Sequence, residues 1–147
     1  MNGPIVVGTD GSDSAAVAVR AATTLAKTFG QPLHVVCAYH LRHVADGLAL
    51  SAGVTVPVSD ASWVQEVLDD AEAEVRQSSV EVFTHAKNGN PADAILDVAE
   101  EVKADLIVVG NRGIDARSRF ILGNVPSRVV HHARCSTYVV NTNAARP

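Results

Sequence analysis

Short apolar segments alternate along the chain with longer segments in which apolar residues recur at helical spacing. The short segments are rich in Val, Ile and Leu and are flanked by Gly, Pro, Asn or Asp, which is typical of buried parallel strands. The pattern predicts strands at residues 4–10, 32–39, 80–85, 105–110 and 137–140. The strand at 80–85 alternates apolar and polar residues, so we expect it toward an edge of the sheet.

Polar residues that favour helix N-termini precede four of the longer segments. Asn90 before Pro91 is typical of an N-cap and a first helical residue. Ser62 and Gln65 resemble a capping box and predict that the second helix begins at Ser62. The first predicted helix follows residues 12–14 and ends at Gly30, the second begins at Ser62, and the third begins at Asn90-Pro91. The fourth runs over 125–133, and residues 40–60 form a long connection.

Five strands alternating with four helices predict an α/β fold. We expect a five-stranded parallel doubly wound sheet of order 3-2-1-4-5 with helices on both faces, a Rossmann-like or flavodoxin-like three-layer sandwich. The chain of 147 residues fits a single domain over 1–147. In such a sheet the winding reverses between the first and fourth strands, and ligands bind there, beyond the carboxyl ends of the strands.

Composition and charge narrow the function classes. The chain is 47% hydrophobic but only 4% aromatic, and its net charge of −4 gives no basic field. Nucleic-acid and anionic-membrane partners are therefore not expected. No apolar run reaches the roughly 18 residues that span a bilayer, and the N-terminus does not resemble a signal peptide, so we expect a cytoplasmic protein.

The sequence contains few arrangements of side chains that are typical of catalysis or metal binding. Cys37 and Cys135 lie far apart in strand-like surroundings and are expected to be buried, inert thiols. His131 and His132 are adjacent, so on a helix one should face the core and the other solvent. No zinc pattern and no Ser/His/Asp, Cys/His or paired-carboxylate set can be assembled. We predict no catalytic residue.

A glycine-rich segment follows the fourth predicted strand. Gly110 and Gly113 flank Arg112, and Gly123 comes just before the last helix, whose first amides suit an anion. The sheet order brings this segment beside Thr9 and Asp10, which follow the first strand. Gly110 and Gly113 alone fit an ordinary turn, Asp10 equally fits a cap of the first helix, and Arg117 and Arg119 fit a solvated loop.

The full spacing Gly110-x2-Gly113-x9-Gly123-Asn124 resembles the ATP-binding signature of the universal stress protein family. The opening Val6-Val7-Gly8-Thr9-Asp10-Gly11-Ser12 is similar to the first strand and turn of that family, and Gly89-Asn90-Pro91-Ala92 to the entry of its third helix. The resemblance spans nearly the whole chain.

The resemblance implies an adenine nucleotide, ATP or possibly cyclic AMP, between the first and fourth strands, and a homodimer paired through the last strand. It implies a stress-response regulator or sensor, with at most a slow ATPase activity. Asp10 would lie near the base, the ribose or a bound Mg²⁺, because a carboxylate beside phosphates needs ribose hydroxyls or a shared cation. The implied binding residues are Thr9, Asp10, Ala38, Val109, Gly110, Arg112, Gly113, Gly123, Asn124 and Val125.

Two residues depart from the family pattern at the phosphate end. Asn124 stands where binding members usually carry Ser or Thr, and Pro126 has no N–H to offer an anion. We hypothesise that the diphosphate end of the site is weakened relative to the adenosine end. The alternative function is a member of the family that binds no nucleotide and acts through homodimerisation and protein partners. A phosphate-transferring or flavin-type protein of similar topology ranks last.

Overall fold

A computed structural model of the protein describes residues 1–40, 59–112 and 122–143. In these ranges five strands alternate with four helices, as the hydrophobic pattern predicts. They are β1 (Ile5–Gly8), α1 (Asp13–Phe29), β2 (Leu33–Tyr39), α2 (Ser59–Arg76), β3 (Val82–Asn88), α3 (Pro91–Glu101), β4 (Leu106–Gly110), α4 (Asn124–His132) and β5 (Ser136–Val140).

The strands form one parallel sheet in the order β3-β2-β1-β4-β5, which confirms the predicted order and fold class. β1 is central: Ile5 pairs with Leu33 of β2 on one side and with Leu106 of β4 on the other. The winding therefore reverses between β1 and β4. The edge strands of the described sheet are β3, which pairs with β2, and β5, which pairs with β4.

Apolar side chains cover both faces of the sheet. Ile5 and Val7 pack with α1 and α2, whereas Val6, between them, packs with α3 and α4. Successive strand residues point to opposite faces, so a central strand between two helical layers must be apolar at every position. This requirement explains the continuous Val/Ile run of β1.

The ends of α1 and α3 follow the predicted local signals. The Ser12 hydroxyl accepts from the N–H of Ala15 at 3.1 Å, and Gly30 ends α1 in the left-handed conformation with φ of 63°. At α3 the Asn90 carboxamide accepts from the N–H of Ala92 at 2.9 Å. These two helix N-termini are thus capped by side chains of the protein itself.

Two predicted boundaries are wrong. Helix α2 begins at Ser59, so Ser62 lies within it and forms no capping box; no Gly or Pro stands between Pro57 and Ser62 to prevent the helix from starting early. Strand β3 runs over Val82–Asn88 rather than 80–85. Its bounds are set by its partner, because β3 pairs with all seven residues of β2.

Histidine burial also departs from expectation. His131 and His132 are both exposed, because they lie in the last turn of α4, whose buried positions are Pro126 and Val129. Cys37 is buried and Cys135 half-buried, and both are free thiols. No helix in the described parts of the chain is long and apolar enough to cross a membrane.

Candidate functional site

A cleft opens at the carboxyl ends of β1 and β4, where the winding of the sheet reverses. Its volume is about 570 Å³, counting the open mouth. It brings together most of the residues that the sequence nominates. These are Thr9, Asp10, Ala38, Val109, Gly110, Arg112 and Val125.

The remaining nominated residues stand differently. Gly123 and Asn124 do not line the cleft but start the helix that borders it. Gly113, with Arg117 and Arg119, lies outside the described residues, as does most of the long connection over 40–60.

Two glycines leave room for the cleft beside the sheet. A Cβ on Gly8 would overlap the Cδ1 of Ile95, a residue of α3 that is itself buried. A Cβ on Gly110 would lie 3.0 Å from the Cγ2 of Thr142, the residue that follows β5 and its flanking Asn141. A side chain at either position would require Ile95 or Thr142 to shift, and with glycine the main chain borders the cleft at both strand ends.

The turn after β1 forms an acceptor pole. The N–H of Thr9 donates to the carbonyl of Val36 at 2.9 Å, which holds the turn against β2. The Asp10 Oδ1 accepts from the N–H of Ser12 at 2.9 Å, and the Thr9 hydroxyl accepts from the N–H of Gly11 at 3.2 Å. Asp10 therefore supports the start of α1 while its second oxygen has no partner among the described residues. Its structural role and a ligand role are compatible.

The start of α4 forms a second pole of the cleft, which suits an anion. Gly123 is the N-cap and supplies no side-chain hydrogen bond, in contrast to the caps of α1 and α3. Val125 and Pro126, in the first turn, line the cleft together with Arg112. An uncapped helix start beside a guanidinium favours a negatively charged group.

The number of free amides at the described part of this pole is small. Gly123, not Asn124, occupies the N-cap, and the N–H of Gly123 donates to the carbonyl of Asn111 at 3.1 Å. The N–H of Ser127 donates to the carbonyl of Gly123 at 3.0 Å. Since Pro126 has no N–H, the described part of the pole offers the amides of Asn124 and Val125.

Asn111 is a residue that sequence reasoning missed. Its Oδ1 accepts from the N–H of Thr142 at 2.9 Å and from the Thr142 hydroxyl at 2.8 Å. Its N–H donates to the carbonyl of Val140 at 2.9 Å. With its bond to Gly123, Asn111 joins the ends of β4 and β5 to the start of α4. An Asn directly after a strand-ending Gly is a turn signal, but it does not reveal these partners.

The apolar walls of the cleft were also missed. Ala15, Val36, Pro91 and Ile95 line it, next to Pro126, which the sequence analysis had already placed at this site. Each fits an ordinary core or helix-start pattern in the sequence, so no local signal separates it from a purely structural residue. Apolar walls between an acceptor pole and an anion pole suit a flat, weakly polar ring with polar groups at both ends.

The site lacks an activated nucleophile in its described lining. Burial, followed by the charge of Asp10, raises the pKa of the Cys37 thiol to about 11. A protonated thiol is a poor nucleophile. The described residues also hold no group of three or more His, Cys, Asp or Glu side chains that could bind a metal ion. The geometry suits binding, with Asp10 as the one carboxylate of the described lining.

Comparison with known sequences gives consistent results. The model of the universal stress protein family matches residues 1–141. Universal stress protein Rv1636 of Mycobacterium tuberculosis is 34% identical over 140 residues, which cover 94% of this chain and 95% of that protein.

Solved structures show the same similarity. A universal stress protein in complex with cAMP superimposes with a TM-score of 0.73 and 29% identity, covering 96% of this chain and 98% of that one. The universal stress protein from Archaeoglobus fulgidus in complex with dAMP gives a TM-score of 0.70 and 28% identity, with coverage of 94% and 97%.

Proposed function

The chain belongs to the universal stress protein family, and we propose that it binds an adenine nucleotide in the cleft between β1 and β4 as a cytoplasmic stress-response regulator or sensor. The observation that carries the proposal is that one apolar cleft is lined both by Asp10, an acceptor, and by the first turn of α4, whose N-cap Gly123 supplies no side-chain hydrogen bond. Related proteins that were crystallised with cAMP and dAMP support the ligand class.

Each part of the nucleotide has a matching wall. The base lies against Ala38 and Val36, where contact is apolar. The free oxygen of Asp10 accepts from a ribose hydroxyl, which avoids the repulsion that a carboxylate would meet beside a phosphate. The phosphate lies between Arg112 and the amides of Asn124 and Val125, where a guanidinium and two N–H groups meet its charge.

The described part of the phosphate pole is best suited to a single phosphate. Among the described residues, two amides and one guanidinium match the acceptors of one phosphate group, and the amides of Gly123 and Ser127 are already used within the protein. We therefore propose that AMP and cyclic AMP bind at least as tightly as ATP. Mg²⁺ would enter only with a di- or triphosphate, held by phosphate oxygens and Asp10, because one carboxylate is too few to hold Mg²⁺ alone.

Calorimetric titration with ATP, ADP, AMP and cyclic AMP tests both statements. We expect binding of all adenine nucleotides, with AMP or cyclic AMP not weaker than ATP. Much tighter binding of ATP would overturn the single-phosphate statement, and no binding of any of them would overturn the nucleotide proposal in favour of a function through the dimer surface and protein partners.

Asp10→Asn tests the role of the charge, because Asn keeps the shape of the side chain and the Oδ1 that accepts from the N–H of Ser12. Asp10→Asn should weaken AMP about tenfold, since a charge-assisted hydrogen bond to the ribose becomes a neutral one. Asp13→Asn is the matched control: Asp13 is exposed in the first turn of the same helix and does not line the cleft. Equal affinities of the two variants would exclude the role given to Asp10.

We also propose a homodimer formed through β5. Within the described sheet β5 pairs only with β4, and Tyr138 on it is 47% exposed. An unprotected edge strand favours pairing with a second copy. Light scattering should report a dimer that Tyr138→Glu dissociates, whereas Trp63→Glu, at a similarly exposed aromatic on α2, should stay dimeric. A monomeric protein at high concentration would contradict the assembly.

A further inference from the structure

A second cavity lies at the opposite end of β4 from the nucleotide cleft. Its volume, counting the open mouth, is about 690 Å³, somewhat more than the 570 Å³ of the cleft. Its apolar floor is formed by Leu96, Ala99 and Ile107 in the layer between the sheet and α3. The cavity shares no lining residue with the cleft, so it is a separate site.

The rim of this cavity carries more positive than negative charge. Arg134 and Glu100 form an ion pair at 2.9 Å, which leaves the ammonium of Lys103 without an acceptor among the described residues. The neighbouring Asp105 carboxylate is engaged elsewhere, since its Oδ2 accepts from the N–H groups of Asn2 and Gly3 at 2.8 and 2.7 Å. The rim therefore offers an unpaired cation above an apolar floor.

Lys103 occupies a backbone conformation that usually belongs to glycine. Its φ is 54°, and it follows the C-cap Val102 of α3. The N–H of Ala104 donates to the carbonyl of Ala99 at 2.8 Å and that of Lys103 to Glu100 at 3.2 Å, which is the Schellman pattern that normally places Gly at this position. A lysine here costs conformational energy, and Lys103 lines the cavity.

From these observations we propose that the second cavity binds a small amphipathic carboxylate, such as a medium-chain acyl anion, with its chain on the apolar floor and its carboxylate at Lys103. The apolar floor matches an alkyl chain, and the unpaired ammonium matches one negative charge. Cys135 contributes to the wall as a protonated thiol, since burial raises its pKa, and no covalent step takes place.

Octanoate is the probe, with octanol and acetate as its two halves. Amide chemical shifts in NMR titrations of the full chain should move around Ala99, Lys103 and Ile107 for octanoate, with at least tenfold weaker effects for octanol and for acetate. Shifts confined to the nucleotide cleft, equal binding of octanol, or no octanoate binding at millimolar concentration would each overturn the proposal.

Variants of the rim separate a binding role from a structural one. Lys103→Gln and Lys103→Gly should each weaken octanoate about tenfold. Glu100→Gln removes the negative charge beside Arg134 and should tighten it. Lys27→Gln, in the last turn of α1 away from both sites, is the control. AMP affinity should not change in any of them, and an unchanged octanoate affinity in the Lys103 variants would exclude the role of its ammonium.

Discussion

The carboxamide oxygen of Asn111 accepts two hydrogen bonds from Thr142, one from its N–H at 2.9 Å and one from its hydroxyl at 2.8 Å. Thr142 is 4% exposed, so both donors are largely removed from water. Because the main chain of Asn111 also bonds to Val140 and Gly123, this contact ties the end of β5 to the border of the cleft between β1 and β4.

Removal of the Asn111 carboxamide should destabilise the protein. In Asn111→Ala two donors of Thr142 lose their acceptor, which costs about 2 kcal/mol of unfolding free energy. Urea denaturation measures the loss. Asn111→Asp keeps the accepting oxygen and should lose clearly less, and equal losses in the two variants would show that the hydrogen bonds to Thr142 are not the cause.

Stability should fall with pH below about 6.5 because of a histidine pair on β2 and β3. The Nδ1 of His34 and the Nε2 of His85 are 2.8 Å apart, a distance that fits one shared proton and not two. Burial, then the charge of His85, lowers the pKa of His34. Burial, then Lys87, lowers the pKa of His85, while Glu101 opposes the shift.

The sign follows from proton linkage. The unfolded histidines bind protons near pH 6.5 and the folded pair binds them only at lower pH, so stability is full above 6.5 and declines as pH falls toward the lowered folded pKa values. Urea midpoints from pH 8 to 5 should show the decline. His85→Gln should reduce it, and His131→Gln, at an exposed position on α4, should leave it intact.

Lys103→Gly should stabilise the protein by up to about 1 kcal/mol, because glycine adopts the left-handed conformation without the strain of a Cβ. Thermal unfolding measures the gain. Lys27→Gly is the counterpart: it places glycine within the last turn of α1 and should cost about 1 kcal/mol. A loss of stability in Lys103→Gly would mean that the lysine side chain stabilises the fold by more than its backbone strain costs.

Gly123→Ser should raise stability and lower nucleotide affinity together. The Cβ has room, with its nearest contacts at 3.4 and 3.5 Å. A serine N-cap bonds the N–H two or three residues on, and because Pro126 has no N–H the acceptor must take that of Val125. We expect a gain of about 0.5 kcal/mol and a several-fold weaker affinity for AMP by calorimetry. Unchanged AMP affinity would exclude Val125 N–H as a phosphate ligand.

The fold was predictable from local patterns because its central strands β1, β2 and β4 are buried on both faces and two of its helices carry their own caps. The continuous apolar run of β1 and the Asn90-Pro91 pair needed no knowledge of distant residues. Local signals failed where a partner decides the outcome. The bounds of β3 follow from its pairing with β2, and the burial of His131 depends on how α4 lies on the sheet.

The candidate site was predictable in position but less so in chemistry. The sheet order alone brings Thr9 and Asp10 beside Gly110. The number of amides left for an anion at the start of α4, however, depends on the bond between the N–H of Gly123 and the carbonyl of Asn111. This bond could not be predicted, because a peptide N–H carries no residue-specific signal. The pairing of His34 with His85, separated by 51 positions, is hidden for the same reason.

The crowding behind Gly8 and Gly110 has a consequence for how related sequences are compared. A Cβ at either position would press on Ile95 or Thr142, which are parts of the protein whether or not a ligand is bound. A side chain there would therefore disturb the packing beside the cleft even in a member of the family that binds no nucleotide. Under the proposed function, glycine at these two positions does not by itself distinguish a binder from a non-binder, and Asp10, Arg112 and Gly123 are the positions to compare.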